Sequence, residues 1–447
     1  MPGLSDPALV EALKMRRLVC YLLVMLSAGP ATAALAQAPP QQAESAAALF
    51  RAVDGYVRER RAEMRAQGKA PDREDIEKLE REQKDLAAKS AAKLAARADL
   101  AGMDFYFLGS LYSYADKRRE AVEAMRRFLS DKAAAKGVAA QYARNVVAVY
   151  GAQNKMLEEA EAARLEYLAN EPKAKHQLVQ NEFELGLAYL KAKQHERALE
   201  RATEAFRLAK TLTAKDIPQQ QQRERVIFNT GEGLVEAYNA SKKKEEALAT
   251  VVDLFQLALD MPSASLYRVT ASRFPDKADD AERAIVARAS DRRATPPELT
   301  VAEWLDGEPL KLSDLRGQVV LIDFWYEWCG PCLRAFPTLR DWHKKYKDKG
   351  FVVIGLTDLQ RTLDGAKSRA EKMEFLRRFR AGNKLTYPIA VAESAGDNLP
   401  EYGVSSFPTA VLIDRRGAVR YISIGVSPSE MSRLGEMVEK LVKEAAQ

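Results

Sequence analysis

The consecutive prolines Pro296-Pro297 divide this chain into two stretches whose hydrophobic patterns cannot belong to one fold class. Proline lacks a backbone N–H and fixes its own φ, so two in succession stop a helix and mark a linker. Before them, from about Glu44 to Ser290, the chain is rich in Ala, Leu, Glu, Lys and Arg, holds few prolines and shows no strand-like alternation. That pattern predicts an all-helical region. After them, short apolar runs alternate with helical patterns, which predicts strands and helices in turn. At 447 residues, 47% of them hydrophobic, the chain is too long for one core and fits two or three domains.

The charge balance argues against a nucleic-acid partner. Sixty-nine basic residues are answered by 63 acidic ones along the same segments, giving a net charge of +6 and a mixed, solvated surface. At the N-terminus, Arg16-Arg17 precedes the apolar run Leu18 to Leu26, followed by Gly29-Pro30 and the small-residue site Ala34-Leu35-Ala36. This is the layout of an export signal, so residues 1–36 are assigned to a signal peptide cleaved after Ala36, and the protein to the periplasm or another exported location. Met15, directly before the arginines, offers an alternative start. The competing reading is an uncleaved membrane anchor, although Leu18 to Ala36 barely reaches the length of a span and contains Gly-Pro. Cys20 leaves with the signal, so Cys329 and Cys332 remain of the three cysteines and a disulfide framework is excluded by count.

Residues 37–98 read as a charged helical segment, a hairpin capping the helices of the next region. Within 99–290 three stretches repeat a spacing: Leu108-Gly109 and Tyr112 with Ala121, Leu185-Gly186 and Tyr189 with Ala198, Leu234 and Tyr238 with Ala247. In each the alanine comes nine residues after the tyrosine. A fourth, degenerate copy has Tyr150 and Ala160, with Pro172 closing it. The spacing resembles the tetratricopeptide repeat, in which a small residue on the second helix packs closely on the first. The resemblance implies a helical-repeat solenoid whose groove takes a protein or peptide partner. A plain helical bundle, and a spacer role, are the alternatives.

Residues 291–297 are the linker, and 298–447 form the second domain. Asp306-Gly307 predicts a hairpin turn between strands at Val301–Leu305 and Leu310–Leu312. Val319 to Tyr326 is a near-continuous apolar run, hence a central strand covered on both faces, and Asp323 is the one residue in it that does not fit. A helix from Pro331 to about Lys349, kinked at Pro337, and a strand at Phe351–Leu356 complete a right-handed strand, helix, strand unit. Beyond it come an inserted helix around Ala366–Arg380, strands at Pro388–Ala392, Thr409–Asp414 and Val419–Ile424, and a helix Ser429–Ala446.

Cys329-Gly-Pro-Cys332 sits where the strand hands over to the helix. A zinc site lacks further ligands, since His176, His195 and His343 have no suitable spacing, and covalent haem would need histidine where Leu333 stands. Neither metal nor cofactor is expected. A merely structural bridge stays open, but so small a loop constrains the unfolded chain little. The redox reading has positive chemistry. At a helix N-terminus the sulfur of Cys329 faces unpaired N–H groups that stabilise its thiolate, making it the attacking nucleophile, while Cys332 one turn on resolves the mixed disulfide. Gly330 lets a backbone approach closely, and Pro331 presets φ where its missing N–H costs nothing.

The run Asp323-Phe-Trp-Tyr-Glu-Trp-Cys-Gly-Pro-Cys332 resembles the thioredoxin active site. With Leu312-Ser-Asp-Leu-Arg-Gly317 and the inserted helix, the domain resembles the exported reductases of the TlpA-like branch more than thioredoxin itself. Tyr326 departs from the small residue common there. The resemblance implies a cis bond at Phe407-Pro408, in Gly403-Val-Ser-Ser-Phe-Pro408-Thr409, where the backbone of Phe407 would pair with an extended substrate. It also implies that Asp323, its pKa raised by burial, exchanges a proton with Cys332. The family's partner lysine has no counterpart in Phe351–Leu356. Trp325 and Trp328 are expected to pack, Trp328 shielding the disulfide, and Glu327 and His343 to lie on the surface. The expected activity is reduction of protein disulfides, with oxidase or isomerase as the alternative, because direction depends on a potential and a redox partner that spacing does not fix. A scaffold protein with secondary redox activity is the reading from another class. No separate peroxidatic cysteine is left for a peroxidase.

Overall fold

The computed structural model describes residues 45–271, 295–305, 309–362 and 368–444. The expected signal peptide, residues 291–294 of the expected linker and the Asp306-Gly307 turn lie outside the described residues. The chain resolves into two compact units, residues 1–216 with 236–242, and residues 217–235 with 243–447.

The first unit is helical. Helices α1 (Ala46–Ala66) and α2 (Arg73–Ala95) are followed by α3 (Met103–Tyr114), α4 (Arg118–Ser130), α5 (Gly137–Gln153), α6 (Leu157–Ala169), α7 (Lys175–Lys191) and α8 (His195–Ala209). Ser45 caps α1, and Asp72 with Asp75 forms a reciprocal capping box that starts α2. Consecutive helices pack as hairpins, α3 on α4, α5 on α6 and α7 on α8. Small residues permit this approach. A Cβ on Gly151 would stand 3.3 Å from that of Ala160, and one on Gly186 would stand 3.2 Å from the backbone nitrogen of Ala202. The hairpin turns also repeat. Asp116, Lys155 and Lys193 each adopt a left-handed φ of 58°, 65° and 59° two residues after a helix ends, and Lys242 does the same at 61° after α9 (Gln220–Ala240). A left-handed residue just past a helix closes its last turn, and lysine or aspartate there is unusual enough that four in one position mark a recurring device.

The second unit contains α10 (Lys244–Asp260), α11 (Ala264–Ala271) and a six-stranded mixed sheet. Its elements are β1 (Glu303–Trp304), β2 (Val319–Phe324), α12 (Gly330–Tyr346), β3 (Phe351–Asp358), α13 (Arg369–Gly382), β4 (Ile389–Ala392), β5 (Thr409–Ile413), β6 (Val419–Ile424) and α14 (Pro428–Lys443). The strand order is β1-β4-β3-β2-β5-β6, with β2, β3 and β4 parallel and the others antiparallel to their neighbours. Every residue of β2 is buried, as its apolar run requires. Alternation splits it between two cores. Val319, Leu321 and Trp325 join Phe336 and Leu339 of α12, Leu376 of α13 and Val438 of α14. Val320, Ile322 and Phe324 join Phe255 and Leu259 of α10, Ala264 of α11 and Tyr402. The second face of the sheet is thus covered by helices that precede the diproline in sequence.

The expected hairpin of 301–305 with 310–312 does not form. Ala302 and Leu305 donate their backbone N–H groups to Val391 and Ile389, so β1 pairs with β4 instead. The N–H groups of Leu312 and Ser313 go to the carboxylate of Glu298, and Leu312–Leu315 is a 3-10 turn. Satisfied by a side chain, that segment has no ladder to join. The inserted helix starts at Arg369 because Ser368 and Glu371 form a capping box.

Candidate active site

β2 delivers the chain to the site. Its last residue is Phe324, after which Trp325 to Trp328 turn the backbone into α12. Cys329 is the N-cap of that helix, and its sulfur accepts the N–H of Cys332 at 3.2 Å, so one orphan donor of the first turn is satisfied by the cysteine sulfur itself. Pro331 occupies the first turn, where it removes no helix bond. Cys329 and Cys332 form a disulfide with their Cα atoms 5.2 Å apart. Cys329 is 5% exposed and Cys332 is fully buried, so the first sulfur is the one an incoming group can reach. A Cβ on Gly330 would meet nothing within 4 Å. The close approach expected at Gly330 is therefore not made by this chain, and open surface lies beside the sulfur.

Asp323 is 1% exposed, and its neighbours across the sheet are Gly355 on β3 and Ala410 on β5. Strand alternation puts it on the same face as Leu321 and Trp325, the face that holds both cysteines. Its Oδ2 has no hydrogen-bond partner, and burial raises its pKa from 3.8 to about 7. No lysine stands opposite, because the β3 position is glycine. The space that a Cβ on Gly355 would take is filled by Trp325, whose Nε1 would lie 2.9 Å away, and by the ring of Tyr387 at 3.2 Å. Trp325 is fully buried, stacked on Phe379 with centroids 5.4 Å apart and edge-on to Phe336 at 5.3 Å, which is packing.

The outer rim is aromatic. Trp328 is 44% exposed, stacks on Tyr326 at 4.9 Å, and donates its indole N–H to the carbonyl of Arg361 at 3.0 Å. The ring of Phe407 stands edge-on to Tyr326 at 4.7 Å, and the Phe407-Pro408 bond is cis. Pro408 accepts the N–H of Gly425 at 2.9 Å. The structure thus brings Cys329, Gly330, Pro331, Cys332, Trp328, Phe407 and Pro408 to one end of β2 and α12, with Asp323 beneath.

Two expectations are corrected. Glu327 is buried, 6% exposed, and His343 is half-buried with its ring edge-on to Tyr387 at 6.1 Å, so neither is a surface residue. The ring that His343 meets belongs to a residue 44 positions on. Sequence reasoning also missed the buried bond from the hydroxyl of Tyr326 to Asp358, which in turn accepts the N–H of Arg361 at 2.9 Å. With Tyr326 and Asp358 32 positions apart, no local pattern signals the pair. Among the described residues no group of three or more His, Cys, Asp or Glu could hold a metal ion, and no helix is long and apolar enough to cross a membrane.

Comparison with known proteins adds independent findings. Residues 291–438 match the family model described as Redoxin. The chain is 31% identical over 115 residues to the thiol-disulfide oxidoreductase ResA of Bacillus thuringiensis subsp. konkukian, covering 26% of this chain and 60% of the relative. It is 32% identical over 138 residues to the thioredoxin-like protein YneN of Bacillus subtilis, covering 31% of this chain and 71% of the relative. A crystal structure of a putative thiol:disulfide interchange protein DsbE from Chlorobium tepidum aligns at 28% identity with 34% of this chain and 98% of its own, with a TM-score of 0.29. The chain spans 60% to 66% of the length of the ResA relatives it matches.

Proposed function

The chain belongs to the thioredoxin-like family through its C-terminal third, and from that premise we propose that it is an exported thiol-disulfide oxidoreductase that reduces protein disulfides. The observation that carries this reading is the Cys329–Cys332 pair at the N-terminus of α12, with an uncompensated buried carboxylate, Asp323, on the same face of the sheet. In the reduced protein the Cys329 thiolate attacks one sulfur of a substrate disulfide, and the other substrate sulfur leaves as a thiolate. Cys332 then gives its proton to Asp323 and attacks the Cys329 sulfur. The second substrate thiolate leaves and is protonated, and two electrons have passed from the dithiol to the substrate. A pKa near 7 suits Asp323 to both halves of that exchange at neutral pH. Trp328 covers the sulfurs, and the backbone at Phe407 offers an extended substrate its hydrogen bonds. A dithiol partner outside this chain recharges the pair.

The helical hairpins form a tetratricopeptide-like array whose groove binds a protein partner on which the dithiol acts. The recurring left-handed turns at Asp116, Lys155, Lys193 and Lys242 support that reading. Raising a partner's effective concentration is the physical gain from such an arrangement. Export is read from the segment before Gln37, with its two arginines, apolar run and Ala-Leu-Ala site.

The test is the equilibrium potential of the Cys329–Cys332 pair together with turnover of insulin disulfides. A potential near about −270 mV with insulin reduction supports the reductase, whereas one near about −120 mV makes the protein an oxidant and overturns the direction proposed.

A further inference from the structure

The junction between α10 and α11 reaches the loop that leads to Pro408. Ala264 donates its N–H to the carbonyl of Tyr402 at 3.0 Å, and Ser265 donates to that of Gly403 twice, from its N–H at 3.1 Å and from its hydroxyl at 2.8 Å. Gly403 holds a φ of +55°, and a Cβ there would stand 2.6 Å from Ser263 Oγ and 3.0 Å from Ser263 Cα. Only glycine meets both conditions, the left-handed backbone and the approach of another main chain. Gln220 adds a side-chain bond to the carbonyl of Glu401 at 2.9 Å. From the opposite side, the Asn398 amide accepts the N–H of Thr300 and donates to its carbonyl, both at 2.8 Å, and Tyr402 donates its hydroxyl to Pro297 at 2.5 Å. Only Val404, Ser405 and Ser406 separate this clamped turn from Phe407.

We propose that Ser263 and Ser265 are positioning residues for the Phe407-Pro408 loop, fixing the backbone edge that an extended substrate would meet beside Cys329. This rests on the oxidoreductase reading above. Its consequence is that the redox half is complete only with α10 and α11, which come before the expected linker. Phe255, Leu259 and Ala264 cover the sheet face opposite the disulfide helix, and the strap they carry sets the loop. The strap touches neither sulfur, so it acts on how a substrate is held and not on the reactivity of the dithiol.

The experiment uses the full chain with three variants, Ser265→Ala, Ser265→Thr and Gly403→Ala. Ser265→Ala removes one of two hydrogen bonds to Gly403 and keeps the backbone bond, so folding is preserved. Its KM for insulin is expected to rise about threefold, the size of one net hydrogen bond, with kcat unchanged. Ser265→Thr keeps the hydroxyl and restores KM. Gly403→Ala wedges the strap from the loop and raises KM about tenfold. In all three the alkylation rate of reduced Cys329 by iodoacetamide and the potential of the pair stay at the wild-type value. Normal wild-type turnover with KM unchanged in both Ser265→Ala and Gly403→Ala overturns the positioning role alone. Alkylation falling in step with turnover also overturns it, because the strap would then be acting on the dithiol. Absence of insulin turnover in the wild-type chain itself overturns the oxidoreductase reading and this inference with it.

Discussion

Each unit of the molecule buries a carboxylate, and the two are treated in opposite ways. In the helical unit Glu182 on α7 is held between Arg164 of α6 and Arg201 of α8, each at 2.9 Å, with Glu161 and Glu200 bound to the outer sides of the same arginines. In the sheet unit Asp323 faces Gly355 and Ala410, with no cation beside it and one oxygen unpaired. Removing a charge from water costs several kcal/mol, and a close opposite charge offsets that cost only when geometry is good. At Glu182 the two arginines offset part of that cost, although burial still leaves its pKa raised above the ordinary value, and their bonds make it a clasp between three helices. Asp323 receives no such offset, so its proton is free to come and go near neutral pH. A buried acid that is paired holds structure, and one left unpaired next to a dithiol is available for chemistry.

The sharpest break of this contrast is at the sulfurs that the proposed exchange couples to Asp323. Cys329→Ser is expected to reduce insulin turnover to background, whereas Cys332→Ser leaves attack intact and accumulates mixed disulfides through Cys329. Non-reducing gels of the two variants with a disulfide substrate check this. Trapping through Cys332 instead would reverse the roles and detach Asp323 from the resolving thiol.

Next in size is the clasp. Glu182→Ala leaves Arg164 and Arg201 buried with only their outer partners, and it should cost the helical unit about 3 kcal/mol, the lower end for a broken buried pair because Glu161 and Glu200 remain. The measurement is the urea midpoint followed by helical circular dichroism. Insulin turnover by the folded variant should be unchanged. If turnover fell with it, the helical acid would belong to the chemistry and the contrast would fail.

The pH dependence of Asp323 comes third. In the folded chain its pKa is raised to about 7, against an ordinary value of 3.8 in an unfolded one. Between those values the folded protein keeps a proton that the unfolded protein has lost, so the favourable contribution is full below about pH 4 and has gone once pH rises through about 7. Three units correspond to a penalty on the order of 4 kcal/mol. Asp323→Asn should therefore raise the urea midpoint of the sheet unit at pH 8 and hardly change it at pH 4. The same variant should slow substrate release about a hundredfold at pH 7 and flatten the rate profile around that pH. A stabilised protein with an unaltered rate profile would leave Asp323 as a buried group without a catalytic part.

Much of the site is legible in the sequence because it is local. An apolar run with one misplaced aspartate names a central strand and its exception, and Cys-Gly-Pro-Cys at the handover to a helix carries its own reason for a reactive thiol. The illegible features depend on partners far away in sequence. The Asp306-Gly307 signal pairs β1 with residues 310–312, but its register partner Val391 lies beyond β2, α12, β3 and α13, and nothing near Glu303 announces that choice. Phe255 and Leu259 have the spacing of ordinary helical core residues, and periodicity says that they are buried without saying against which unit. The charge of Glu327 suggests a surface position, though only the surrounding chain decides its exposure. Gly403 stands out as part of the Pro408 signature, while the reason for a glycine there is the backbone of Ser263, 140 positions upstream.

The smallest effect belongs to another buried acid of the sheet unit, Asp358, and it tests whether pairing keeps a buried carboxylate out of the chemistry. Asp358 is 3% exposed but, unlike Asp323, it is partnered, accepting the hydroxyl of Tyr326 on one oxygen and the N–H of Arg361 on the other. By the logic of the clasp it is structural. It anchors the turn after β3, whose Arg361 carbonyl accepts the indole N–H of Trp328. Burial and the Asp358 carboxylate both raise the pKa of Tyr326, so its hydroxyl stays protonated and donating throughout the working range. Tyr326→Phe keeps the ring beneath Trp328 and deletes only the donor. It should lower stability by about 1 kcal/mol through the oxygen left unsatisfied, change insulin turnover less than about twofold, and leave the pH profile where it was. A turnover loss beyond tenfold with stability intact would mean that Asp358 takes part in proton transfer once its donor is removed, and pairing would no longer separate the structural acids from the chemical one.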